Sequence, residues 1–101
     1  MNKERCALVA VCLPNEETND MEELKQLVEA ANGIVISSIV QNRQSIDIRF
    51  YAGRGKIKEI AEYVETLEID TLVFNDELSG SQIRNIEEIT GAKVVDRTSL
   101  I

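Results

Sequence analysis

The chain has 101 residues, 11 basic and 18 acidic side chains for a net charge of −7, and no histidine. That length suits one domain with a single core, and the acidic balance argues against non-specific nucleic-acid binding by the whole surface. No apolar run approaches the roughly 20 residues of a membrane-spanning helix, and without histidine a serine lacks its usual activating base.

Met1–Arg5 leads into about eight apolar residues, a pattern read as a first strand and not a signal peptide. The unbroken apolar run from Cys6 to Leu13 predicts a central strand buried on both faces. Cys6 and Cys12 fall on that strand, about 20 Å apart at 3.3 Å per residue, far beyond disulfide reach. They read as two buried thiols in a reducing, cytoplasmic compartment. Pro14 and the polar residues after it end the strand. Asp20 with Glu23 forms a capping box for a helix carrying Leu24, Leu27, Val28 and Ala31, and Asn32-Gly33 stops it. Ile34 to Val40, rich in β-branched residues, predicts a second strand.

Gln41 to Arg49 is a polar connection, after which Phe50 and Tyr51 either end a short strand or pack a glycine turn against the body. The second helix is expected from about Lys56 to Leu67, with Ile57, Ile60, Ala61, Val64 and Leu67 on one stripe. Thr71 to Asn75 is the third strand. Ser79 caps a third helix with Ile83, Ile86 and Ile89 inward, and Gly91 ends it. Lys93 to Asp96 is the fourth strand, and Thr98 caps a helix that has only begun at Ile101. Alternating strands and helices predict an α/β fold. Its sheet is four-stranded, mainly parallel and ordered 2-1-3-4, with helices on both faces.

The most informative segment is Tyr51-Ala52-Gly53-Arg54-Gly55-Lys56. Its two glycines allow close backbone approach or positive φ, and a helix starting there favours anions beside Arg54 and Lys56. A triphosphate-binding loop needs four residues between its glycines and Ser or Thr after its lysine; here one residue intervenes and Ile57 follows. The dinucleotide fingerprint fails as well, with Lys58 at its third glycine position. Three readings stay open: a nucleotide or phosphate-metabolite site on Gly53-Arg54-Gly55-Lys56, a contact to RNA, or tight packing alone.

Charge is unevenly spread. Arg43, Arg49, Arg54, Lys56 and Lys58 accompany one acid, Asp47, over residues 43–58, while the rest of the chain sums to −11. Phe50 and Tyr51 beside these cations suit either base stacking or packing. Asp76-Glu77 follows the third strand, where a metal or acid/base role competes with a plain turn favouring the next helix. Arg84 and Asn85 lie on the third helix between apolar positions, and Arg97 is placed to pair with Asp76.

Several segments together resemble one family: Tyr51-Ala52-Gly53-Arg54-Gly55-Lys56, the run Phe74 to Glu87 (with Asp76-Glu77-Leu78-Ser79), and Val95 to Ile101 with Asp96-Arg97-Thr98. In this order and spacing they are similar to the N-terminal domain of HflX GTPases, over essentially the whole chain. The resemblance implies one α/β domain, residues 1–101, that precedes a helical hairpin and a GTPase domain. It also implies a protein that binds the large ribosomal subunit. GTP and magnesium would belong to the GTPase domain; no catalytic residue, metal ligand or cofactor is assigned within this chain. The basic stretch and the edge cations make Arg43, Arg49, Tyr51, Gly53, Arg54, Gly55, Lys56, Arg84 and Arg97 the candidate rRNA or phosphate contacts. Asp76, Glu77, Gln82, Asn85 and Asp96 are the edge or interdomain candidates, and Leu100 with Ile101 could support a fragment dimer. Asn75 and Gly80 depart from the family's usual Asp and frequent Pro.

Overall fold

A computed structural model describes residues 3–16 and 21–100; the expected Asp20 cap, and Ile101 of the suggested dimer contact, lie outside them. Eight elements alternate as expected. They are β1 (Glu4–Cys12), α1 (Met21–Ala30), β2 (Gly33–Asn42), α2 (Arg54–Thr66), β3 (Thr71–Phe74), α3 (Gly80–Thr90), β4 (Lys93–Asp96) and the single turn α4 (Arg97–Leu100). The sheet is parallel throughout, in the order β2-β1-β3-β4.

Side-chain alternation along β1 divides the core between two faces. Ala7, Val9 and Val11 join Leu72, Phe74 and Val94 under Ile57 and Ile60 of α2 and Ile86 of α3. Cys6 and Leu8 meet Leu24 and Val28 of α1 on the other face, with Leu100 of α4 packed beside them. Both faces of the two central strands are therefore covered, which explains why β1 and β3 read as continuous apolar runs. β2 carries a bulge opposite Cys6 and Ala7, a common device on an edge strand.

Helix ends follow local chemistry. Asn32, not Gly33, takes the left-handed conformation after α1, with φ 67°, while Gly33 starts β2 in close contact with Val28 and Cys6. Arg5 donates to the carbonyls of Leu67 and Glu68, satisfying acceptors left open at the end of α2. Ser79 and Gln82 form a full capping box on α3, which Gly91 ends at φ 71°. The cap of α4 is corrected from Thr98 to Asp96, whose carboxylate accepts the N–H and hydroxyl of Ser99. Of the two thiols, only Cys6 is fully buried; Cys12 is half-buried.

Candidate functional site

In a parallel α/β sheet, ligands are taken outside the carboxyl ends of the strands, at the crevice where strand order reverses. Here that crevice lies between β1 and β3, and a residue of the chain itself fills it. Tyr51 is 1 % exposed and stands edge-on to Phe74, with ring centroids 5.5 Å apart. Its hydroxyl accepts the N–H of Val11 at the end of β1 and donates to the Asp76 carboxylate just past β3. Burial and that bond to Asp76 push the Tyr51 phenol well above its ordinary range. Of the two readings of Tyr51, base stacking and packing, the structure bears out packing: the side chain is buried inside the domain.

The glycine turn is built differently from a ligand loop. Positive φ belongs to Tyr51, at 65°, and to neither Gly53 nor Gly55. α2 begins at Arg54, two residues before the expected start, so Gly55 lies within its first turn. Gly53 is the N-cap, in extended conformation and with no side-chain cap. Its N–H donates to the Gln41 side chain at 2.8 Å, and the Arg43 guanidinium lies against its α-carbon. The first turn of α2 contains no acid.

Upstream, residues 47–51 form a clamped hairpin tip. Asp47 and Tyr51 exchange backbone hydrogen bonds of 3.0 and 2.9 Å, and the Asp47 carboxylate accepts the N–H groups of Arg49 and Phe50, both at 2.8 Å. α3 holds the tip from the side: Gln82 donates to the Asp47 carbonyl at 2.9 Å and Asn85 to the Arg49 carbonyl at 3.1 Å. Gln82 and Asn85, two edge candidates, are thereby positioning residues for the basic loop.

The acidic candidates are largely absorbed by the scaffold. Buried Asp96 accepts the Leu78 N–H at 3.0 Å besides its Ser99 bonds. Burial alone would raise its carboxyl, yet the bonds from Leu78 and Ser99 hold it below its ordinary value. Asp76 is taken by Tyr51, and Glu77 is exposed. The expected Arg97–Asp76 pair is replaced by other partners: Arg97 donates to Asn75 at 2.8 Å and pairs with Glu23 at 3.0 Å. Asn75 is the acceptor that seats Arg97. No group of three His, Cys, Asp or Glu side chains among the described residues is placed to hold a metal ion.

The cations sort into two sets. Lys56 pairs with Glu59 at 3.3 Å and Arg97 with Glu23. Among the described residues, Arg43, Arg49, Arg54, Lys58 and Arg84 are in no ion pair, and all but half-buried Arg43 are exposed; Lys3, Arg5, Lys25 and Lys93, on β1, α1 and β4 or beside them, are in none either. At the corner made by the hairpin tip and the start of α2, Arg43 lies against the N-cap, Arg49 is on the clamped tip, and Arg54 and Lys58 are on α2; Arg84 is on α3. Asp47 and Gln41, which organise this corner, were not singled out by the sequence. Asp47 stood as one acid amid five cations, and only its spacing before the Arg49 and Phe50 amides hinted at an Asx-type turn.

The fold is thus a parallel α/β domain whose crevice between β1 and β3 is filled by its own Tyr51. The sequence family described as GTP-binding GTPase N-terminal matches residues 18–101. The chain belongs to that family. It is 41 % identical over 100 residues to GTPase HflX of Caldanaerobacter subterraneus subsp. tengcongensis, covering 99 % of this chain and 23 % of that protein. It is 40 % identical over 101 residues to GTPase HflX of Lacrimispora saccharolytica, covering 98 % and 24 %. A crystal structure of a GTP-binding protein from Sulfolobus solfataricus in complex with GDP superposes with a TM-score of 0.68 and 28 % identity, over 96 % of this chain and 28 % of that one. The chain thus spans about a quarter of the length of the relatives it matches.

Proposed function

We propose that this chain is the non-catalytic N-terminal domain of an HflX-like GTP-binding protein. It docks on rRNA of the large ribosomal subunit and positions or restrains the neighbouring GTPase domain during ribosome binding or splitting. What supports this reading is the set of cations in no ion pair around the hairpin tip and the start of α2, Arg43, Arg49, Arg54 and Lys58, with Arg84 exposed on α3, on a chain of net charge −7. Phosphates gain from such a cluster, and the acidic remainder repels them, so orientation is imposed electrostatically. In the full-length protein, GTP and its magnesium ion belong to the GTPase domain, and this domain works in the cytoplasm with the ribosome as partner.

A nucleotide site on Gly53-Arg54-Gly55-Lys56 is the weaker reading. Tyr51 fills the crevice that a nucleotide would use, Lys56 is turned to Glu59, and Gly55 is an ordinary residue of the helix. The test is charge reversal in the full-length protein. Arg54→Glu with Arg84→Glu should weaken binding to isolated large subunits by at least tenfold at moderate salt, with the thermal melt unchanged. Wild-type affinity in that variant would remove the docking assignment.

A further inference from the structure

The sheet has two edges, and only one of them is closed to further pairing. β4 is four residues long and carries Lys93 and Asp96. Lys93 turns its N–H inward to the carbonyl of Asp70 just before β3, so the N–H of Val94 points outward, where the Glu87 carboxylate accepts it at 3.0 Å. Shortness, charge and a covered backbone are the usual defences of an edge strand. β2 has none of the three. It runs ten residues, Gly33–Asn42, inside the longest uncharged stretch of the chain, residues 30–42. Among the described residues, no group outside the β1 ladder bonds to its main chain. The bulge lies between Val35 and Ser37 and leaves Ser37 to Asn42 in unbroken register with Ala7 to Cys12.

We propose that the outer edge of β2 pairs antiparallel with the same strand of a second copy, joining two four-stranded sheets into one of eight strands across a two-fold axis. Every second residue of an edge strand directs its N–H and C=O outward, so this surface is complementary to an extended backbone, not to a helix or a small molecule. Charge selects which backbone. Two chains of net charge −7 repel over most of their surfaces, whereas Gly33–Asn42 meets its own copy without one like-charge pair. Composition agrees, since Ile34, Val35, Ile36, Ile39 and Val40 are β-branched and suit cross-strand packing. Ile34 and Val40 are 43 % and 50 % exposed. They sit beside Arg5 and Ala10 of β1, five positions apart and therefore on opposite faces, so an added strand shelters one on each side of the sheet. A symmetric pair also closes on itself and leaves no open β2 edge to recruit a third copy. One strand pair covers less than the roughly 800 Å² per partner of a stable interface, so the expected dissociation constant is on the order of tens of micromolar.

The experiment is sedimentation equilibrium on the full-length protein over about 1–200 µM, with amide hydrogen exchange at both ends of that range and thermal melts alongside. Wild type should dimerise reversibly, and amides between Ser37 and Asn42 should exchange more slowly at the higher concentration. Val40→Lys and Ser38→Lys, both at exposed positions, put a charge on the edge and should weaken the dimer at least about tenfold with the melt unchanged; Val40→Thr should retain it. A wild type that stays monomeric throughout overturns the proposal. So does a dimer that both lysine variants leave intact, or one that Leu100→Ser abolishes, which assigns the contact to α4. The Arg54→Glu, Arg84→Glu double variant leaves β2 untouched and should dimerise like wild type, so failure of docking and failure of the dimer are read separately.

Discussion

Gly55→Ala should stabilise the domain. The substitution adds a methyl group in the first turn of α2, where the backbone is helical and no heavy atom lies within 4 Å of the new carbon. Nothing in the fold requires glycine at that position, and alanine has less conformational freedom to lose on folding. The expected gain is about 0.4–1 kcal/mol. For a domain of this size that corresponds to a rise in Tm of roughly 2–8 °C, measured by far-UV circular dichroism at neutral pH. Gly53→Ala supplies the contrast. Its Cβ would lie 2.7 Å from Arg43 Nη1 and 3.3 Å from Gln41 Nε2, both flexible side-chain ends that can move. The cap itself prefers glycine to alanine, so a loss of about 0.5–1.5 kcal/mol is expected. Destabilisation by Gly55→Ala would refute the placement of the helix start and return the glycine to a special conformational role. A stabilised Gly55→Ala protein with weaker ribosome binding would show instead that the glycine admits close approach of a partner's backbone.

Two further predictions concern buried groups. Cys6 is pushed up from 9.0 to about 11, first by burial and then by Glu4 and Asp70; Tyr51 is raised further, from 10.0. Both folded states favour the protonated form, so their stabilisation is complete below the unfolded pKa and lost as pH rises. Urea unfolding should therefore show stability falling from about pH 9 upward, with the onset delayed toward pH 10 in Cys6→Ala; an onset that does not move excludes the thiol. Asp96 behaves oppositely: its depressed carboxyl gives stability above about pH 4 that disappears as pH falls. Asp96→Asn should cost about 1–3 kcal/mol at neutral pH, because Asp96 accepts through both oxygens and asparagine offers one, leaving either the Leu78 or the Ser99 N–H facing an NH2 donor, and should flatten the acid limb of the profile. An unchanged acid limb would assign that transition to other carboxylates.

The sheet was legible because its cues are local and redundant. The apolar runs of β1 and β3, the capping box of Ser79 and Gln82, and the Gly91 stop each state one element without reference to the rest of the chain. Lys93–Asp96 is bounded in the structure as read from the sequence. What escaped was set by tertiary contact. Tyr51 reads as either stacking or packing beside cations, and the crevice between β1 and β3 explains why it points inward with φ 65°. Arg97 was expected to meet Asp76; Tyr51 had already taken that carboxylate, so Arg97 turns to Asn75 and Glu23. The basic corner was visible as a run of charge, but which cations remain unpaired depends on where Glu59 and Glu23 fall in space.

The central claim is that the unpaired cations of this corner meet phosphate. Its most direct test is the salt dependence of large-subunit binding by full-length protein, comparing wild type with Arg54→Gln and Arg84→Gln combined. Each phosphate contact contributes about 0.7–0.9 to the slope of log affinity against log salt. The double variant should therefore bind more weakly, with a slope shallower by about 1.4–1.8. A wild-type slope in the double variant would contradict the account.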